Sequence, residues 1–549
     1  MQRSLVGSEM CIRDRYISLF AILGLSTSCT DMLDEEMKTQ VTVDYLYTTP
    51  DGLSRVVTGL YNYTRTLATD NQSDLFTVQM MDYSTDLMIF RGGSAAAFAR
   101  LDNIKSDVGQ AQAFWTYNYN IIGKANEVIA AAEKLGIDNS PVTKKAWAEA
   151  KLFRARSYFE LYKRYERLYL NTSPTEHSNL DREFTPAKKE DIFKLINDDL
   201  TDAMNVLDWT VPSSSAGVSY GRFTKAVAKH IKAQVAMWLE NWDEAIEQCE
   251  DIFECPDYTM LDDRSAVFAD ANLNNSEILW TFQFSKAIGG GGFISDGETD
   301  LTGHRMSLIC TPNYKKVAGL GNFRSEHGGY GWGRVYPNSY LLSLYDKDKD
   351  VRYKAYFKHE WYYMDEDILP SGKKLGDVAT TTSTLYLECL HPCTRKYFDM
   401  WTNADLPSRK SSFKDIAIYR LAETYLMAAE AYFHKEGGSS SKAIKYYNET
   451  WERAGNQHFD GPLTLDILLE EYARELNFEG VRWPLLKRLG LLEERVKLHA
   501  GDTKEEDPRL NKDYIEARQN FKYFHWYWPI PQSEIDQMGK ENFPQNDGY

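Results

Sequence analysis

Cysteine, basic charge and uninterrupted apolar sequence are all scarce in this chain of 549 residues. Beyond the first 29 residues there are five cysteines, Cys249, Cys255, Cys310, Cys389 and Cys393. An odd number cannot close into a complete disulfide framework, so stability has to come from packing. Cys249 and Cys255 are either a local bridge or a pair of helix-buried thiols. Cys389 and Cys393 flank His391, but without a fourth ligand or C-x-x-C spacing they do not make a structural zinc site. Lys and Arg number 63 against 80 Asp and Glu, a net charge of −17. An acidic surface of that size disfavours nucleic acid and the anionic membrane face as partners. Past Leu25 no apolar run approaches the roughly 20 residues of a membrane span.

Catalytic signatures are missing as well. There is no Gly-x-Ser-x-Gly, no His-Glu-x-x-His and no isolated carboxylate pair in a catalytic setting, so the chain reads as a non-enzyme. The run Gly289–Gly292 lacks the strand-to-helix context and the Lys-Ser/Thr of a phosphate cradle, which leaves a flexible loop. Asp346, Asp348 and Asp350 alternate like calcium ligands but lack the glycine and distal glutamate of a binding loop, and read as a helix terminus. Neither a metal nor a cofactor is expected.

What is present begins with a leader. Arg13 and Arg15 precede the apolar run Ile17–Leu25, and Ser26, Thr27 and Ser28 lead into Cys29 and an acidic segment. A run this short belongs to a secretory signal rather than a membrane span. The order basic, apolar, small, cysteine resembles a lipoprotein signal with Cys29 as the lipidated residue, although Leu25 lies one position further from it than the usual lipobox leucine. A cysteine with several acyl chains anchors firmly where a single chain is marginal. Residues 1–15, with Glu9 and Asp14 where a leader is basic, resemble adapter-derived sequence. Loss of residues 1–28 removes Arg3, Arg13 and Arg15 against Glu9 and Asp14, taking the charge from −17 to −18.

With 43% hydrophobic and 26% charged residues the remainder is an ordered globular chain. Helical periodicity runs over Asp51–Leu67, Ala111–Leu135, Lys144–Arg167, Lys188–Leu207, Thr224–Leu239, Trp242–Ile252, Tyr419–Phe433, Lys442–Ala454 and Leu465–Phe478. Short turns join Thr224–Leu239 to Trp242–Ile252 and Tyr419–Phe433 to Lys442–Ala454, the helix-turn-helix spacing of tetratricopeptide repeats. The expected fold is mostly α, a tetratricopeptide-like scaffold of helical hairpins with a loop-rich, irregular subregion. Its regions are 29–284, helical; 285–412, loop-rich and suited to ligand binding; and 413–549, helical again. Trp115 and Tyr119, one turn apart in a strong helix, belong to the core.

The most specific stretch is Leu468–Trp483. Leu465, Leu468, Leu469, Tyr472, Leu476 and Phe478 form one apolar stripe, and Gly480 is placed as the C-terminal stop. Glu471, Arg474, Glu475 and Arg482 along it read as mutually satisfied structural charge. The spacing of Glu471, Arg474, Glu475, Leu476, Glu479, Gly480, Arg482, Trp483, Leu485 and Arg488 resembles the C-terminal signature of the SusD/RagB family. Tyr472 replaces the usual Arg and Pro484 the usual Asp. The segments Arg420–Ala431, Ala148–Leu161, Trp528–Ile535 and Gln545–Tyr549 are similar to further family motifs, so the resemblance covers nearly the whole chain. It implies a right-handed scaffold of four helical hairpins.

Recognition is best sought in loops carried by a rigid scaffold. Tyr330 and Trp332 stand among glycines, with Arg324, His327 and Arg334 close in sequence. An aromatic face with hydrogen-bonding groups at its edge suits a sugar, whose C–H face stacks while its hydroxyls take directional bonds. The competing reading tucks both rings back onto the helices as loop anchors. A second patch, Asp82–Gly93, repeats the theme with Phe90 and Arg91 beside two glycines and Asp86 as a hydroxyl acceptor; burial of Phe90 is its competing reading. The resemblance implies a lipid-anchored, outer-membrane protein of the cell surface that binds glycans and delivers them to a SusC-like TonB-dependent transporter. A peptide-binding lid of the same kind of transporter is the alternative, and a surface glycoside hydrolase ranks last.

Overall fold

The computed structural model describes residues 43–69, 74–174, 184–211, 221–269, 274–284, 303–321, 325–400 and 411–549. Cys29, the leader, Gly289–Gly292 and Arg324 lie outside them. Residues 44–549 form one compact unit. The longest helices are α1 (Pro50–Thr69), α2 (Gly109–Leu135), α3 (Pro141–Arg164), α4 (Lys189–Val206), α5 (Lys225–Trp238), α6 (Trp242–Phe253), α7 (Leu421–Glu436), α8 (Ser441–Trp451) and α9 (Leu465–Leu476), followed by α10 (Arg482–Arg488) and α11 (Leu492–His499). None of the described helices is long and apolar enough to cross a membrane.

Local chemistry sets several of the starts. Ser140, Thr224, Asn241, Ser440 and Thr464 each accept a backbone N–H of the first turn with the side-chain oxygen. Each such cap stabilises its helix by about 1 kcal/mol. From α2 to α9 each helix packs on the next, so the array runs on from α6 to α7 although about 170 residues separate them in sequence. Where α5, α6, α7 and α8 meet, Ala233, Ala236, Ala245, Ala428, Ala429, Ala431 and Ala443 are all 0–3% exposed. Side chains that small let the axes approach closely, so the mostly α scaffold of stacked hairpins expected from the periodicity is what forms.

The intervening residues leave and rejoin this array through one gate. Strand β2 (Ile278–Phe282) pairs antiparallel with β6 (Ile416–Arg420), with Ile278 opposite Arg420 and Phe282 opposite Ile416, and β6 runs directly into α7. The loop-rich part in between is tied down by two more ladders. β1 (Met88–Phe90) pairs with β3 (Val335–Pro337), and β4 (Phe357–Lys358) with β5 (Cys393–Thr394). The C-terminal Trp528–Pro531 segment packs on the N-terminal helices. Trp528 donates its N–H to Arg164 O at 2.8 Å and its ring lies 4.6 Å from Phe98 and 5.4 Å from Phe114.

The signature helix α9 is the centre of a buried ion network. Arg420 binds Glu277 at 2.8 Å, Glu475 at 2.8 Å and Glu479 at 2.6 Å; Arg453 binds Glu277 at 2.6 Å and Glu475 at 3.0 Å. Arg352 binds Asp350, Glu471 and Glu475, Lys396 binds Glu479, and Arg474 binds Glu471. Five cations therefore meet five carboxylates, Asp350, Glu277, Glu471, Glu475 and Glu479. Arg420 also donates to Glu475 O at 2.7 Å, and Lys396 donates to Glu475 O and Asn477 O, both at 2.9 Å, so backbone carbonyls join the network. The aspartate run thus contributes Asp350 to a core ion pair.

Two sequence expectations need correcting. α9 stops at Leu476, not Phe478, because the Asn477 amide donates to the carbonyls of Ala473 (2.9 Å) and Arg474 (3.0 Å) and Phe478 takes a φ of 56°. Gly480 is not that stop but the turn into α10. Its φ is 77°, and a Cβ there would stand 3.1 Å from Gln79 O, so both conformation and space favour glycine. Cys249, Cys255, Cys310, Cys389 and Cys393 are all buried and unbridged, which resolves Cys249 and Cys255 in favour of buried thiols. Burial pushes the thiols of Cys310 and Cys389 up to about 12.

Candidate ligand-binding site

The segment after Gly328 is shaped by close approach. A Cβ on Gly331 would stand 2.2 Å from Pro312 O, and one on Gly333 would overlap the Tyr336 hydroxyl. With those side chains absent, the N–H groups of Trp332, Gly333 and Arg334 donate to the carbonyls of Leu308 (2.8 Å), Thr311 (2.8 Å) and Ile309 (2.9 Å). These carbonyls lie at the C-terminal end of the short helix Met306–Cys310, where they have no helical partner of their own. β3 follows at once and pairs with β1, so the loop carrying Tyr330 and Trp332 is pinned at both sides. The glycines beside these rings serve close packing.

The β1–β3 ladder brings the two sequence patches together. Arg91 N–H donates to Arg334 O at 2.8 Å, and the Arg91 guanidinium donates to the carbonyls of Trp332 (2.9 Å) and Gly333. The Arg334 guanidinium lies over the Trp332 ring, 4.3 Å from its centre, and its Nη1 donates to Asp74 at 2.7 Å. Arg305 stands over the same ring at 5.2 Å, and Lys315 over the Tyr330 ring at 4.5 Å. Glu388 links the group, 2.8 Å from Lys316 and 3.6 Å from Arg91. Burial raises the Glu388 carboxyl, but the bonds from Lys316 and Asn313 and the charge of Arg91 outweigh it and hold it below the usual carboxylate range. Tyr330, Trp332, Arg334, Arg91, Arg305 and Lys315 are all part-exposed and Lys316 is exposed, so this rim faces solvent.

Three other residues named from the sequence stand behind the rim. Phe90 is buried, 5.5 Å from Tyr83 with the Arg100 guanidinium over its ring at 5.5 Å. Asp86 is fully enclosed and takes a two-pronged bond from Arg482, at 2.8 and 2.6 Å, so the signature arginine anchors the Asp82–Gly93 patch from inside. His327 is buried between Tyr314 (4.8 Å) and Trp361 (5.2 Å). Their side chains support the rim and present no face to a ligand. Sequence reasoning missed Asp74, Arg305, Lys315, Lys316 and Glu388. The Lys315–Lys316 doublet was a visible signal; Asp74 and Glu388 carry none, since their partners lie 260 and 72 residues away.

Hollows elsewhere are less suited to a ligand. One of about 100 Å³ between α3, α5 and α7 is walled by Arg156, Glu160, Lys163, Glu423 and Arg488. Its charges satisfy one another, with Glu160 bound to Lys163 at 2.5 Å and Arg164 at 2.7 Å. A groove of about 400 Å³ beside β2 is lined by Trp280, yet that ring is only 3% exposed and its Nε1 is spent on Gly221 O.

Comparison with known proteins shows what the chain is similar to. The SusD family model matches residues 294–549. SusD-like protein P2 of Formosa agariphila is 26% identical over 471 residues, 81% of each chain. The starch-binding protein SusD of Bacteroides thetaiotaomicron is 35% identical over 135 residues, 25% of this chain and 22% of that protein. A solved laminarin-binding SusD-like protein superposes with a TM-score of 0.69 at 20% identity, over 91% of this chain and 99% of the other. Over residues 294–549 the chain is similar to the SusD family, and SusD-like relatives align with it along most of its length. The matched span holds Arg305, Tyr330, Trp332, Arg334 and Glu388, whereas Asp74 and Arg91 come from outside it. The rim is therefore completed by the N-terminal part of the chain.

Proposed function

We propose that this chain is a SusD/RagB-family protein: a non-catalytic, cell-surface glycan-binding lipoprotein, anchored to the outer membrane through Cys29, that hands captured oligosaccharide to a TonB-dependent transporter. The observation that carries the reading is the rim itself. Two part-exposed aromatic rings, Tyr330 and Trp332, are held on a pinned loop with guanidinium and ammonium donors over and beside them. Ring area supplies affinity and the donors supply orientation. The names of relatives that bind starch and laminarin support the same ligand class. Against hydrolysis, the two carboxylates of the rim, Asp74 and Glu388, are each engaged by cations, and Glu388 is held low rather than raised as a general acid requires. Delivery to a transporter and lipid anchoring are supported by the family and by the leader.

The test is binding of the chain from Thr30 onward, which keeps the compact unit whole, to a panel of polysaccharides and peptides. Retention by a glycan is expected, with Trp332→Ala lowering affinity about tenfold or more while thermal melting is unchanged. Retention by peptides alone, or glycan binding indifferent to both Trp332→Ala and Tyr330→Ala, overturns the reading. For the anchor, Cys29→Ser is expected to shift the protein from the membrane fraction to the soluble one.

A further inference from the structure

We infer that the rim selects an anionic glycan, one bearing carboxylate or sulfate groups, and that Arg334 and Lys316 are the residues that read the charge. The inference rests on the glycan-binding reading above and names its ligand class.

Three observations carry it. First, the hydrogen-bonding side chains gathered at the rings are almost all pure donors. Arg91, Lys316 and Arg334 have no acceptor atom, and their side chains remain 31%, 47% and 21% exposed. The two carboxylates are the least accessible charged groups, 5% for Asp74 and 15% for Glu388, and both are already engaged. A neutral sugar hydroxyl needs acceptors as well as donors, whereas a carboxylate or sulfate presents acceptors only. Second, the Trp332 ring is not a bare platform, because Arg334 and Arg305 lie over it at 4.3 and 5.2 Å. A ligand approaching that ring meets guanidinium N–H edges, whose planar fork matches an oxyanion.

Third, Arg334 is set in place before any ligand arrives. Asp74, itself buried, holds Nη1 from behind at 2.7 Å. Gly93 makes room for the side chain, since a Cβ there would come 3.0 Å from Arg334 Cδ. A guanidinium fixed in that way loses little freedom on binding. The sign of the rim also opposes that of the molecule. Among the described residues it joins Arg91, Lys316 and Arg334 to Asp74 and Glu388, in a chain whose net charge is −17. Repulsion over most of the surface and attraction at one patch guide an anionic polymer to that patch. Starch and laminarin, named for the relatives, are uncharged glucans, so this chain departs from them.

The experiment uses matched polymers. The chain from Thr30 onward is titrated with polygalacturonate and its carboxyl-reduced form, with a sulfated galactan and its desulfated form, and with laminarin as a neutral control. At least one anionic polymer is expected to bind about tenfold more tightly than its neutralised twin. That preference is expected to fade as salt rises from about 0.05 to 0.5 M, because the rim is exposed to screening. Which pair responds distinguishes carboxylate from sulfate. Arg334→Gln is expected to remove most of the preference and Arg334→Lys to restore part of it. Lys316→Gln, at an exposed position where folding is not at risk, lowers it less. Equal binding of charged and neutral twins, or a preference untouched by both glutamine variants, overturns the inference and leaves glycan binding standing. Failure to bind any polymer of either charge removes both.

Discussion

The ion network around α9 and the rim around Trp332 use the same side chains to opposite ends. Both combine arginine, lysine, carboxylate and aromatic rings, and both join segments remote in sequence. In the network five cations meet five carboxylates, and Arg352, Arg420, Glu471 and Glu475 are 0–2% exposed. At the rim the cations outnumber the carboxylates among the described residues and keep part of their surface in water. Balanced, enclosed charge has no capacity left for a ligand. Unbalanced, half-open charge does. The comparison teaches that the residues of the signature stretch hold the chain together, while the rim proposed for recognition is built from residues with little pattern of their own.

The largest effect is expected from breaking the network. Arg420→Ala leaves Glu277, Glu475 and Glu479 buried without their shared partner, and removing one member of such a cluster costs about 3–5 kcal/mol. Soluble yield and melting temperature are expected to fall sharply, while the fraction that folds keeps the ligand preference of the parent. A variant that folds normally but has lost its ligand would show that network and rim are not separate.

How far each region was legible in the sequence follows from the range of its contacts. The nine long helices announce themselves by local period, and the structure moves their ends by only a few residues. Glu471, Arg474, Glu475 and Arg482 were readable as structural charge because they recur on one helix and its exit. Their partners Arg352, Lys396 and Asp86 were not, since no local spacing links residues more than 70 positions apart. At the rim, aromatics among glycines marked a loop whose Tyr330 and Trp332 the structure leaves part-exposed, but nothing local decides which side of a strand faces water. Pairing of β1 with β3 puts Phe90 inward and opposite Val335, and encloses Asp86 on Arg482; burial of His327 depends on Trp361, 34 residues further on.

An intermediate effect is expected from breaking the rim without touching the network. Gly331→Ala drives a Cβ to within 2.2 Å of Pro312 O, so the loop must lift off the helix Met306–Cys310. The bonds from Trp332 and Arg334 are then lost together. Stability is expected to fall by about 1–3 kcal/mol, the range for strain at a constrained backbone position. Ligand affinity falls more steeply, because Trp332, Arg334 and the carbonyls that hold Arg91 all move. Affinity retained in a properly folded Gly331→Ala protein would mean that the pinned loop is not what positions the ligand.

The smallest effect separates the two regions by pH. Asp82 lies in the Asp82–Gly93 patch and accepts the Phe478 N–H at 2.5 Å just beyond α9; burial, opposed by that bond and by the charge of Arg482, raises its carboxyl to about 7. In the folded protein it therefore holds a proton that the unfolded chain releases near pH 4. A folded state that binds more protons than the unfolded one loses stability as pH rises, here between about 4 and 7. Asp502, which caps Ser339 and is also raised to about 7 by burial, adds a contribution of the same sign. At the rim the direction is reversed for Glu388, which is held below its ordinary value. Lowering the pH from 7.5 to 5.5 is therefore expected to raise the contribution of these buried aspartates to melting stability, by an amount on the order of 1 kcal/mol, while leaving Glu388 charged. Asp82→Asn keeps an acceptor for Phe478 and removes the titration, so the pH dependence of melting is expected to shrink by about half relative to the parent. An unchanged dependence in that variant would show that Asp82 is ionised in the folded protein, its charge balanced by Arg482 and Lys396 as part of the network rather than excluded from it.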